Sequence, residues 1–145
     1  MKNLIQVTCK NRLIAFIIKA DFKAKGVKFL TPDKFHQQLI YMNRPKGDLI
    51  SPHMHPPFAK QIRFTQEVLF IRSGKMKIDF YDGKKNYLES RIAGQGDVVF
   101  LAFGGHGFEF MEDTQIIEVK QGPFLKGVGP IKFEAVRKGK IRLKR

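Results

Sequence analysis

Four side chains in this sequence are of the right type and spacing to hold a metal ion: His53, His55, Glu67 and His106. One residue separates His53 from His55, and on a strand, where side chains alternate, that spacing points both imidazoles to one side. Two nitrogens can then reach a single ion. Glu67 shares a strand face with Leu69 and Ile71; a carboxylate at the head of an apolar row is costly unless a cation meets it. His106 follows Gly104-Gly105 and shares a face with Phe108 and Phe110, so it can bring a third imidazole. Three neutral imidazoles and one carboxylate suit a divalent transition ion (Fe, Mn, Ni, Cu or Zn) better than Ca or Mg, which prefer oxygen shells. Such a set leaves one or two coordination positions open for chemistry. Glu109 is expected to point away from His106 on the same strand, and His36, with no spaced partner, reads as a surface or hydrogen-bonded histidine.

Strands must position these groups, and the chain is rich in them. Short apolar segments, heavy in Val, Ile, Phe and Tyr and punctuated by Gly, Pro and Asp-Gly, predict strands near 4–8, 13–20, 27–30, 35–43, 49–55, 67–72, 75–81, 87–92, 97–102, 107–111 and 115–120. Ser73-Gly74 and Asp82-Gly83 offer the positive-φ positions of tight hairpins, which predicts a three-stranded meander over 67–92. Pro56-Pro57 cannot extend a ladder, so 56–66 reads as a flap. Neither a capped helical period nor an internal repeat is visible. Many short strands with closing turns predict an all-β barrel or sandwich. Most of the seven phenylalanines at 64, 70, 80, 100, 103, 108 and 110 are expected to be core rather than a ligand box.

The chain has 145 residues, enough for one ordinary domain, and 43% of them are hydrophobic, enough to pack a core. A lone cysteine, Cys9, rules out an intramolecular disulfide or a thiolate metal cluster and favours a reducing, cytoplasmic setting. The apolar run Leu13 to Ile18 is too short to span a bilayer, so neither secretion nor a membrane anchor is expected. The net charge of +14 is concentrated at the ends: 1–28 carry +6, 126–145 carry +7 and the middle only +1. Solvated strand faces and a tail account for such clusters more simply than a nucleic-acid partner, and no recognition motif accompanies them. A nucleophile elbow, a phosphate loop and a dinucleotide fingerprint are likewise missing, which argues against serine hydrolase and nucleotide-fold chemistry.

Gly47, five residues, His53-Met54-His55, then Glu67, six residues and Gly74 form a string that resembles the first motif of the cupin superfamily, with eleven residues rather than the usual three or four before the glutamate. Gly96, five residues and Ala102-Phe103-Gly104-Gly105-His106 resemble the second. Here Ala102 replaces a favoured proline, the histidine comes one residue early, and Phe110 stands where asparagine is common. Three further stretches, Tyr41-Met42-Asn43-Arg44-Pro45-Lys46-Gly47, Thr65-Gln66-Glu67-Val68-Leu69-Phe70 and Gly104-Gly105-His106-Gly107-Phe108-Glu109, are similar to small bacterial single-domain cupins that accompany sugar and surface-polysaccharide biosynthesis genes.

The resemblance implies a single-domain cupin, a double-stranded β-helix or jelly-roll-like antiparallel barrel. Residues 1–28 would be basic N-terminal strands completing the barrel or a dimer, 29–125 the barrel with both motifs, and 126–145 a basic tail. It also implies a metal held by His53, His55, Glu67 and His106, and an enzyme of isomerase or epimerase type acting on a sugar or sugar-nucleotide-like molecule. A non-heme metal dioxygenase and a non-catalytic ligand-binding or sensing module are the alternatives. Lys60 and Arg63 are the only charges of the flap and both are positive, which favours an anionic sugar; Tyr41 and Arg44 are further candidates for the barrel mouth. Leu13 to Ile18 is apolar on both strand faces, so a homodimer covering one face is expected.

Overall fold

The apolar alternation condenses into ten strands in the computed structural model, which describes residues 3–59, 61–123, 126–127 and 129–144. They are β1 (Leu4–Cys9), β2 (Arg12–Ile18), β3 (Gly26–Phe29), β4 (Ile40–Asn43), β5 (Glu67–Ser73), β6 (Lys75–Tyr81), β7 (Tyr87–Gly94), β8 (Val98–Leu101), β9 (Gly105–Phe110) and β10 (Gln115–Lys120). A single short 3-10 turn, Lys138–Lys140, is the one helical element among the described residues. Every strand pairing is antiparallel. The sheets have the orders β1-β2-β8-β5-β10, β7-β6-β9 and β3-β4, and none closes into a barrel among the described residues. Among the described residues no helix is long and apolar enough to cross a membrane.

The chain divides into two units, Met1–Phe22 with Thr65–Arg145, and Lys23–Phe64. In the first, the five-stranded and three-stranded sheets share one core. Val7, Ile17, Leu69, Ile71 and Val99 come from one sheet and Met76, Ile78, Phe80 and Ala93 from the other, all almost fully buried. Each large side chain removed from water contributes roughly 1.5–3 kcal/mol, the main force holding the sheets together. The β6–β7 hairpin forms at Asp82-Gly83 as expected, although the positive φ falls on Lys85. There the Asp82 carboxylate accepts from the backbone N–H groups of Lys84 and Asn86, so a side chain completes the turn.

The expected meander over 67–92 does not form. β5 pairs with β8 and β10, and β6 pairs with β7 and β9, so Ser73-Gly74 carries the chain from one sheet to the other. Leu69 and Ile71 on β5 pack in the same core as Met76 and Ile78 on β6. Two apolar rows meet across a core only when their strands lie in opposite sheets. The homodimer argument also loses its premise: Ile14, Ala15, Phe16, Ile17 and Ile18 are all buried within the single chain. On the face turned away from the shared core, Phe16 stacks on Phe100 with centroids 5.0 Å apart.

The C-terminal segment is a docked element rather than a free tail. The Tyr81 hydroxyl accepts from Val136 N at 3.0 Å, and the Phe133 ring meets Tyr81 edge-on. Further on, Ser90 and Leu143 form a parallel bridge at the β7 edge, with Ser90 N donating to Arg142 O at 2.9 Å. Beneath this cover lies a polar group in which Ser90 donates to Asp79, and Lys77 sits 3.5 Å from Asp79 and 2.7 Å from Glu109.

The Lys23–Phe64 unit holds the β3–β4 pair and little other regular structure. The expected strand over 35–43 begins only at Ile40. Before it, the Gln38 amide donates to the carbonyls of Pro32 and Phe35, and Thr31 binds both Gln38 and Leu39 N. Side chains thereby take the partners a ladder would have supplied. The expected strand over 49–55 is absent: these residues are exposed and carry no ladder. Pro52 lies inside it and Pro56-Pro57 follow, so three of six consecutive residues have no N–H to donate.

Candidate metal centre

His106 is set by its turn and its strand. Gly104 has φ +86°, and a Cβ there would lie 2.2 Å from the Tyr81 carbonyl oxygen, so only glycine lets β9 start here. On β9, His106 pairs with Phe80, and its ring stacks on Phe108 at 5.0 Å. Glu109 points to the opposite side of β9, where it binds Lys77, as its spacing from His106 predicts.

Glu67 opens β5 on the face that carries Leu69 and Ile71. Its carboxylate lies 3.4 Å from His106 Nε2, with both side chains largely shielded from water. Burial lowers the His106 pKa; the Glu67 and Glu118 charges push it up and Lys120 pushes it down, and the net result lies below the ordinary imidazole value. The shift favours the neutral form, in which imidazole has a lone pair to give.

His53 and His55 form a second pair, in the Lys23–Phe64 unit, with ring centroids 5.2 Å apart at 76°. Both are exposed. His53 Nδ1 lies 2.9 Å from the Ser51 carbonyl oxygen, and a tautomer donating there leaves Nε2 free to bind a cation. The four expected ligands thus fall into two pairs, one in each unit, and among the described residues no three His, Cys, Asp or Glu side chains gather in a single group.

The other expected site residues have separate placements. Arg44 is paired with Asp48 at 2.8 Å. Tyr41 lies on β4 opposite Lys28. Arg63 is exposed, its guanidinium 5.8 Å from the Phe64 ring centre. Lys60 lies outside the described residues. Of the seven phenylalanines, Phe80 and Phe100 are fully buried, whereas Phe64, Phe70 and Phe110 are exposed.

Two residues escaped the sequence reading. In the β5–β10 register Lys120 lies opposite Glu67 and Glu118 opposite Leu69, so both charges lie on the Glu67 side of the sheet. Glu118 and Lys120 are paired at 2.9 Å, and the His106 imidazole feels both charges. Their signal was a shared parity with Ile116, masked by Ile117 and Val119 in the alternate positions.

No family model, curated protein or solved structure matches the chain.

Proposed function

We propose that this chain is a metal-binding cupin whose ion is held by His53, His55, Glu67 and His106, and that it acts as an isomerase or epimerase on a sugar or sugar-nucleotide-like molecule. The observation that carries the reading is the Glu67–His106 pair: a carboxylate and an imidazole 3.4 Å apart, drawn from two sheets, at the rim of a shared apolar core. A carboxylate close to an imidazole whose pKa burial lowers is a pairing that suits a divalent cation. On this reading His53, whose Nδ1 lies 2.9 Å from a carbonyl oxygen, and His55 beside it would supply the other two nitrogens. A bound divalent ion would supply Lewis-acid polarisation of a carbonyl or hydroxyl oxygen. The protein's own part would be to present the imidazoles, keep water from the apolar side, and fix the ligand's orientation.

The test is metal uptake by the full chain. Protein stripped with chelator and titrated with Mn, Fe(II), Ni, Cu or Zn should take up one equivalent of at least one ion, by calorimetry and elemental analysis. Single substitutions Glu67→Ala and His106→Ala, and the double substitution His53→Ala/His55→Ala, should each weaken uptake by more than the ~10–100-fold typical of changes to residues that merely orient a ligand. Equal affinity in the double variant would remove the two histidines from the site.

A further inference from the structure

We propose that this chain forms a homodimer through β10 rather than through β2: the free edge of β10 pairs with β10 of a second copy about a two-fold axis at Val119, joining two five-stranded sheets into one. β10 ends the order β1-β2-β8-β5-β10, and among the described residues it pairs with β5 alone. Alternate residues of a strand direct their N–H and C=O groups to opposite sides, so half of the β10 backbone groups face away from β5. Folded proteins usually blunt such an edge. β1, at the other end of the sheet, breaks register between Val7 and Thr8, β9 carries Gly105 and Gly107, and the β7 edge is covered by Arg142 and Leu143. From Ile116 to Lys120, β10 keeps its register, holds no proline, and presents the β-branched side chains of Ile116, Ile117 and Val119.

The face of this edge turned away from the core is apolar. Ile117 lies opposite Phe70 and Val119 opposite Val68. Val68 is buried, whereas Phe70, Ile117 and Val119 remain 39%, 50% and 47% exposed. An apolar row that starts under cover and ends bare at an open ladder marks an interaction surface. Charge decides which occupant fits, and in what register. Residues directly opposite on antiparallel strands share a face, and like charges there are destabilising. A two-fold axis at Glu118 or at Lys120 would set that residue against its own copy, and an axis at Ile117 would set Glu118 against the partner's Ile116. Registers one residue to either side of the Val119 axis set Val119 against a charge. With the axis at Val119, Glu118 meets the partner's Lys120 and Lys120 meets the partner's Glu118, while the row Val68, Val119 runs on into the second sheet. Glu118 and Lys120, paired at 2.9 Å within the chain, then form an alternating square of charges with their copies. β10 is thus complementary to itself, and its fitting occupant is a second copy of this chain. Every residue of the interface belongs to the unit Met1–Phe22 with Thr65–Arg145.

The experiment is sedimentation velocity of the full chain. Over roughly 1–100 µM the parent should show a reversible monomer–dimer equilibrium. Glu118→Lys and Lys120→Glu each turn both cross-copy pairs into like charges, and each alone should weaken dimerisation at least about tenfold. Mixing the two variants in equal amounts puts opposite charges back at both positions, so a heterodimer should form about as tightly as the parent dimer. The double substitution Glu118→Lys/Lys120→Glu in one chain should dimerise like the parent, which decides the matter even if a single variant folds poorly. A parent that stays monomeric across the range, single variants that dimerise as tightly as the parent, or a double variant that does not dimerise would overturn the assignment. Assemblies that grow beyond the dimer would mean head-to-tail pairing with a different edge, and would overturn it equally.

Discussion

Glu89 is 7% exposed and divides its carboxylate between Arg91, at 2.7 Å, and the Lys144 ammonium of the C-terminal segment. Burial alone would raise its pKa, but hydrogen bonds and charge from Lys144 and Arg91 outweigh it and hold the group below the ordinary glutamate value. The folded state thus binds this proton less readily than the unfolded chain. The stability it contributes is complete above the ordinary glutamate pKa and is lost as pH falls through the lowered one. Urea midpoints measured from neutral pH down through that acid window should fall for the parent, and Glu89→Gln should flatten the part of the fall that this group causes. At this scale the sequence singled out His53, His55, Glu67 and His106 by residue type and spacing, and the structure sets Glu67 against His106 and His53 beside His55. Glu118 and Lys120 did not stand out, because β10 carries apolar residues on both faces and only its register with β5 gives their direction.

Strands were legible where alternation was bounded by turn residues, and illegible where polar side chains or prolines took over the backbone's partners. Nine of the expected segments contain a strand whose ends agree within a few residues, and 35–43 keeps only its last four, Ile40–Asn43. Gln38 and Thr31 explain that loss, and Pro52 explains the absence of a ladder over 49–55. Sheet membership was less visible than strand identity. Ser73-Gly74 has the residues of a hairpin turn, yet the positive φ of Gly74 serves a crossing between sheets, set by which rows pack on one another. The β8–β9 turn gives the sharpest test of a connection. Gly104→Ala places a methyl group 2.2 Å from a backbone carbonyl at a φ that L-residues avoid. A loss on the order of 2–4 kcal/mol in urea unfolding is expected, and, on the metal-centre proposal, weaker metal uptake, because β9 then begins out of position. A variant as stable as the parent would mean that the turn has relaxed into another form.

Across the whole molecule, the concentration of charge at the ends does not leave the C-terminal end free in water. Residues 133–144 give backbone hydrogen bonds to Tyr81 and Tyr87, bridge Ser90 at the β7 edge, and place Lys144 on Glu89. Ser90 is fully buried beneath them. Deleting 132–145 should therefore cost on the order of 2–5 kcal/mol of unfolding free energy, from the backbone hydrogen bonds to Tyr81, Tyr87 and Ser90 and the Phe133 contact. An unchanged urea midpoint would show that the segment rests on the sheet without holding it. Composition could not reveal this docking, since a segment of lysines, arginines and scattered apolar residues reads equally well as a solvated tail. Docking of this kind also imposes an order on biosynthesis. Translation runs from the amino terminus, so β6, β7 and β9 are made before the residues that cover them. If β6, β7 and β9 pair before residues 142–144 arrive, the β7 edge would offer unpaired N–H and C=O groups to any strand nearby. For that interval a ribosome-associated chaperone would have the same edge to shield that residues 142–144 later occupy.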